Sequence, residues 1–304
     1  MGKTQASEPS LGISAVERET GLSKDILRVW ERRYGFPQPE RDMNGERVYP
    51  LGQIEKLRLI KRLMERGHRP GRLVPQPSDA LLLLGATAEA AVPRRPDLDR
   101  FLALIKSHQL DELRTDLHQA LMKQGLQQFV RATVAPLSIA VGEAWMRGEF
   151  AVFEEHLYTE QIDSLLRNAI SSIHPRHVGP RVLLTTFPNE THGIGLLMAE
   201  ALLAMEGAFC IPLGTETPLR DIVLAATAHR AGIVALSFSS AFNEKAATTG
   251  LAELRSQLPA SVLIWAGGAA IERIRKPVPG VELVPSLEQM VESVQDWRAL
   301  HVPA

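Results

Sequence analysis

The chain has 304 residues, 45% hydrophobic and 23% charged, with a formal net charge of −1 and one cysteine, Cys210. A lone cysteine excludes a disulfide framework and a cysteine-cluster metal site, and no apolar run approaches the ~20 residues of a membrane span. The opening stretch MGKTQASEPS has no apolar signal core, so a soluble cytoplasmic protein is expected. At roughly 100–200 residues per domain, the length predicts two or three domains. The small net charge hides a split: residues 1–75 carry 15 Lys+Arg against 10 Asp+Glu, and the remainder 19 against 25. A basic head on an acidic body suggests a DNA reader joined to another kind of domain; scatter in a small count is the competing explanation.

In chain order, residues 11–70 read as short helices with tight connections. Helices are expected over Ser14 to Thr20, Ser23 to Tyr34 and Leu51 to Arg66, with Ser14 and Ser23 as N-caps and Gly21 in the turn of a helix-turn-helix. Lys24, Arg28 and Arg32 recur every four residues and share one helical face, with Arg33 beside them, while Ile26, Leu27 and Trp30 are expected in a small core. A row of cations on an exposed helix suits a major-groove reader flanked by phosphates. Asn44-Gly45 is a hairpin signal, so a β-wing carrying Arg41, Arg47 and Tyr49 is expected next. Gly67 to Arg72 reads as a second basic wing.

Residues 73–96 are rich in Pro and Ala and read as a linker with a short helical piece. Residues 97–173 carry Leu, Ile and Val at three- and four-residue spacing and read as helical throughout. From Arg181 onward, β-rich runs (RVLLTTF, AFCIPLG, GIVALSFS, SVLIWAGG, VELVP) alternate with helical stretches, the signature of a parallel α/β sheet. The expected organisation is a winged helix-turn-helix head over 1–75, a linker over 76–96, a four-helix bundle over 97–178 and a Rossmann-like (flavodoxin-like) domain over 179–304.

The loop Thr185 to Gly195 follows the first strand of the sheet and opens the next helix, at the edge where open α/β folds place ligands. There His192 is a candidate metal ligand, with Glu190 two residues earlier to accept a hydrogen bond from its other nitrogen. Taken alone, a loop histidine is more often a surface or capping residue. In the bundle, Gly148 is a natural helix end, and across an antiparallel hairpin Trp145 converges with Glu155 and His156. No nucleophile elbow, P-loop or zincin motif is present, so no catalytic residue is expected. Cys210 lies in a β-rich run and reads as an inert core residue.

The stretches GISAVERETGLS, RVWERRYG and NGERVYP resemble the DNA-binding domain of the MerR family of transcription regulators. That resemblance implies dimeric binding to a palindromic operator in double-stranded DNA. Glu190-x-His192-x-x-Gly195 resembles the Asp-x-His-x-x-Gly fingerprint of cobalamin-binding domains, with Glu in place of Asp. Ser237 after the third strand and Gly267-Gly268 after the fourth fall where that family lines the slot for the displaced dimethylbenzimidazole tail. The Leu that commonly follows the serine is replaced by Phe238. The order of head, bundle with Trp145, Glu155 and His156, and cobalamin fold resembles the CarH/LitR family of light-sensing repressors over residues 11–304. The resemblance implies adenosylcobalamin as cofactor, His192 as lower cobalt ligand, and Trp145, Met146, Glu155 and His156 around the adenosyl group. It also implies a dark-state dimer or tetramer that light dismantles.

Met146 departs from the family's prototype, which has a histidine directly after the Trp. A thioether is a poorer ligand for Co(III) than imidazole, so recapture of cobalt after photolysis is not expected through position 146. The leading reading is a light-controlled repressor that uses adenosylcobalamin. A regulator that senses cobalamin or another tetrapyrrole without light-driven disassembly, and a cobalamin enzyme subunit, are the alternatives.

Overall fold

The computed structural model describes residues 10–43, 45–65, 68–86, 96–173, 179–240 and 242–301. The chain divides into two compact units, Met1–Val92 with Met146–Glu149, and Pro93–Trp145 with Phe150–Ala304.

The first unit runs β1 (Ser10–Gly12), α1 (Ile13–Thr20), α2 (Lys24–Tyr34), β2 (Glu40–Arg41), β3 (Arg47–Pro50), α3 (Leu51–Glu65), α4 (Pro70–Leu73) and α5 (Ser78–Ala86). Helix α1 starts one residue earlier than expected, behind Gly12, with no side-chain cap; Ser14 is therefore inside the helix. Gly21 takes a left-handed conformation at its end, φ 66°, the position a glycine fills without Cβ strain. Ser23 caps α2, its hydroxyl accepting from the Ile26 amide at 3.3 Å. Strand β3 is central in a three-stranded antiparallel sheet, with Leu11 opposite Tyr49 and Arg41 opposite Arg47. The β2–β3 hairpin turns through Gly45, φ 78°; Asn44 lies outside the described residues.

Val16, Leu27, Trp30, Ile54, Leu57, Ile60 and Leu63 form the core of this unit. Ile26, expected in that core, is exposed, because the buried stripe of α2 runs through Leu27 and Trp30. The expected second wing is not a hairpin: Pro70 starts the single-turn helix α4, and Leu73 and Val74 are fully buried. Gly67 lies outside the described residues. Within the Pro/Ala-rich stretch, α5 delivers Leu81 into the same core.

The second unit opens with α6 (Pro96–Lys106), α7 (Leu110–Gln124), α8 (Leu126–Phe129), α9 (Ala135–Arg147) and α10 (Val152–Ser171). A π-helical turn over Val130–Val134 joins α8 to α9, and the Ala135 amide reaches back to Val130. Pro136 follows at once. It has no N–H and would collide with the carbonyl four residues earlier, so a widened turn here accommodates it. Gly148, φ 77°, ends α9.

The α/β part comprises β4 (Arg181–Thr185), α11 (Ile194–Met205), β5 (Phe209–Gly214), α12 (Leu219–Ala228), β6 (Ile233–Ser237), α13 (Glu244–Gln257), β7 (Leu263–Gly267), β8 (Glu282–Val284) and α14 (Leu287–His301). The sheet is wholly parallel in the order β5-β4-β6-β7-β8. Its five strands are the five β-rich runs of the sequence. Helix α11, IGLLMAEALLAM, is apolar nearly all round because it is covered on two sides. Its Leu196, Leu197, Ala201 and Leu202 share one continuous core with bundle residues such as Phe129, Tyr158 and Ile162 and with sheet residues Leu184, Ala235 and Trp265. A second core fills the opposite face of the sheet, beneath α12 and α13. Among the described residues, no helix is long and apolar enough to cross a membrane.

Candidate cofactor site and DNA-reading face

The strand order reverses between β4 and β6, so the loops leaving their carboxyl ends diverge and open a crevice. The loop after β4 is held by its own threonines. Thr186 Oγ1 donates to the Glu190 carbonyl at 2.6 Å and accepts from the Glu216 amide at 2.8 Å. Asn189 takes a positive φ of 69°, and the Asn189 amide donates to Glu216 Oε1 at 3.2 Å. These bonds turn the chain back sharply and drive Glu190 inward.

Glu190 is 1% exposed, and both its oxygens are used. Oε1 accepts from His192 Nδ1 at 2.7 Å and from the His192 amide at 3.1 Å. Oε2 accepts from the Ser239 amide at 2.7 Å and the Ser239 hydroxyl at 2.8 Å. Burial pushes the carboxyl up, but the bonds from His192 and Ser239 outweigh it and hold Glu190 below the usual carboxylate range. An ionised carboxylate only accepts, so His192 carries a hydrogen on Nδ1, and in the neutral ring the lone pair is then on Nε2. Nε2 is the metal-binding form of the ring, and the His192 side chain is 58% exposed. Ser239, on the loop after β6, ties the two sides of the crevice together. Sequence reasoning selected Ser237 and missed Ser239; a second hydroxyl two residues on, in the loop leaving β6, was the available signal.

Ser237 belongs to an adjoining cavity of about 160 Å³, lined by Leu184, Gly195, Ala235, Ser237, Trp265 and Gly267 among others, with Gly268, Pro285 and Met290 toward the α14 side. Two of its glycines sit in close quarters. A Cβ on Gly195 would sit 2.7 Å from Ser237 Oγ. One on Gly268, φ 93°, would overlap the Phe238 carbonyl oxygen. Trp265, which also lines the cavity, has a buried indole N–H with no hydrogen-bond partner among the described residues. Among the described residues, no three His, Cys, Asp or Glu side chains gather to hold a bare metal ion. The residues fit a corrinoid: one exposed imidazole, a buried carboxylate bonded to it, and a largely apolar slot beside them.

Trp145 is half-buried at the margin of the bundle and sheet core. Glu155 and His156 open α10 and pair with each other, Nδ1 to Oε2, at 2.8 Å, and Thr159 Oγ1 donates to Glu155 Oε1 at 2.8 Å. The Met146 side chain lies outside the described residues. Just before Glu155, Glu154 is buried and accepts from the Ala151 amide at 2.6 Å, Lys106 Nζ at 3.2 Å and His108 Nε2 at 2.9 Å. This clamp was not legible in the sequence, because Lys106 and His108 lie 48 and 46 residues away. Burial pushes the Cys210 thiol up to about 12, which keeps it unreactive.

On the head, Arg28, Arg32 and Arg33 are exposed on α2, and Lys24 pairs with Glu17 at 3.6 Å. Arg41 is exposed on the wing and donates to the Gly45 carbonyl at 2.6 Å. Arg47 is held by Glu31 of α2, Nε to Oε2 at 3.2 Å, which fixes the wing against the reading helix. Tyr49 does not belong with these residues. It is fully buried in the core of this unit, although it shares a strand face with Arg47, which is only half-buried.

These features define a class: a winged helix-turn-helix regulator whose body is a helical bundle on a flavodoxin-like sheet. Residues 11–73 match the MerR HTH family regulatory protein model. The chain is 30% identical over 263 residues to the HTH-type transcriptional repressor CarA of Myxococcus xanthus, covering 86% of this chain and 88% of that protein. It is 29% identical over 273 residues to the repressor CarH of the same organism, covering 87% and 90%. The chain belongs to this family of HTH-type transcriptional repressors. It is therefore a regulator and not an enzyme subunit. Among solved structures, the monomethylamine corrinoid protein of Methanosarcina barkeri shares the fold, with a TM-score of 0.52 and 15% identity over 66% of this chain and 98% of that one.

Proposed function

We propose that this chain is a cytoplasmic repressor that holds adenosylcobalamin in the body, binds operator DNA through the head as a dimer or tetramer, and leaves the DNA in light. The observation that carries the reading is the Ser239–Glu190–His192 relay beside the Gly195–Ser237 cavity, at the one crevice the strand order creates. His192 Nε2 would hold the cobalt of the bound cofactor, with Glu190 fixing the tautomer and strengthening the ring as a donor. Gly195, Ser237, Trp265, Gly267 and Gly268 would accommodate part of the bound cofactor in the cavity they line. Trp145, Glu155 and His156, with Met146 adjacent in sequence, would cover the adenosyl group. When bound, the cofactor supplies a cobalt–carbon bond that light breaks. Lys24, Arg28, Arg32, Arg33, Arg41 and Arg47 form the DNA-facing set.

Met146 favours a second reading, in which a corrinoid or another tetrapyrrole signals by binding alone. Size-exclusion chromatography with inline absorbance, on protein loaded with adenosylcobalamin in the dark and then illuminated, separates the two. A corrinoid-bearing oligomer that dissociates in light supports the photoreceptor. An assembly indifferent to light supports the ligand sensor, and protein that elutes without corrinoid defeats the photoreceptor and every corrinoid form of the second reading.

A further inference from the structure

The reading helix α2 carries two apolar side chains that its own fold does not explain. Val29 is 43% exposed and Ile26 is 38% exposed, while the core side of the helix is already supplied by Leu27 and Trp30. Both are β-branched and poorer helix formers than the Lys, Glu or Ala that serve an exposed position. Scattered exposed apolar residues are ordinary, but these two are neighbours at i, i+3 and sit amid charge. The helical neighbours of Val29 at three and four residues are Asp25, Ile26, Arg32 and Arg33. Arg28 beside it pairs with Asp25 at 3.4 Å. The surface is thus an apolar pair ringed by arginines, on the helix that a helix-turn-helix lays in the major groove.

The cations commit this surface to a polyanion, and duplex DNA presents one apolar group to a major-groove helix, the C5-methyl of thymine. We propose that Val29, supported by Ile26, reads a thymine methyl in each half-site and is a specificity-determining residue of this head. Arg32 and Arg33 flank the contact and neutralise phosphates without selecting a base.

The test uses the full chain and DNA enriched by it from a random-sequence duplex library. Each thymine of the enriched site is then replaced by deoxyuridine, which removes only the methyl, and Kd is measured by fluorescence anisotropy at fixed salt. Burying one methyl-sized group is worth ~0.8 kcal/mol, so one thymine position is expected to lose about fourfold in affinity when demethylated. In Val29→Ala that sensitivity disappears, while the salt slope stays unchanged. Arg32→Ala keeps the methyl sensitivity and lowers the salt slope by about one. Alanine at this exposed site leaves the core untouched, and circular dichroism checks the fold. The proposal is overturned if no thymine responds to demethylation, if Val29→Ala and Ile26→Ala both keep the full response, or if no sequence is enriched.

Discussion

Replacing Glu154 by glutamine tests whether the first turn of α10, which presents Glu155 and His156, depends on a charged anchor. The wild-type carboxylate is 2% exposed and accepts from the Ala151 amide, Lys106 and His108. Burial works against its charge, but the Ala151, His108 and Lys106 bonds prevail and keep it below the usual carboxylate range. Glutamine retains an oxygen for the Ala151 amide but forfeits the charge. Hydrogen bonds to a charged group contribute roughly 1.5–3 kcal/mol. Lys106 and His108 are 56% and 54% exposed and rehydrate when released, which argues for the lower part of that range. A loss of about 1–2 kcal/mol corresponds to a fall in Tm of about 2–8 °C for a unit of this size. Because the folded-state pKa is depressed, the stabilisation is complete above the carboxylate's unfolded value and fades as pH falls through the folded one. Thermal melts of wild type and Glu154→Gln should therefore differ by a constant amount from neutral pH down to the ordinary carboxylate range, then converge below it. Equal Tm values at pH 7, or a gap that survives strong acidification, would refute the anchor.

Three further outcomes are expected. Ser239→Ala removes the hydroxyl bond to Glu190 but leaves the amide bond, and weakens corrinoid retention about tenfold with the fold preserved, measured by equilibrium dialysis. Gly268→Ala places a Cβ against the Phe238 carbonyl at φ 93° and costs about 1–3 kcal/mol, read from denaturant midpoints. Tyr49→Phe removes a buried hydroxyl that has no partner, so stability holds or rises by about 1 kcal/mol and DNA affinity is unchanged; a marked loss of DNA binding would restore Tyr49 to the interface.

Burial and charge explain how far the sequence reaches. Ser23, Gly21 and the four-residue spacing of Lys24, Arg28 and Arg32 specify the head locally, because caps, left-handed turns and helical faces depend on near neighbours. The five β-rich runs and the loop ending in Gly195 specify the sheet and the edge that holds His192, since strand period and turn chemistry are also short-range. Contacts between distant segments were decided by the tertiary structure. Ser239 meets Glu190 across 49 residues, Glu154 collects Lys106 and His108, and Arg47 is captured by Glu31. The burial of Tyr49 depends on the helices that cover its end of β3, Val16, Leu27 and Leu57 sharing its core, which a four-residue strand does not reveal by itself. A buried carboxylate attracts whatever donors the fold brings within about 3 Å, and no spacing rule in a linear chain encodes that meeting.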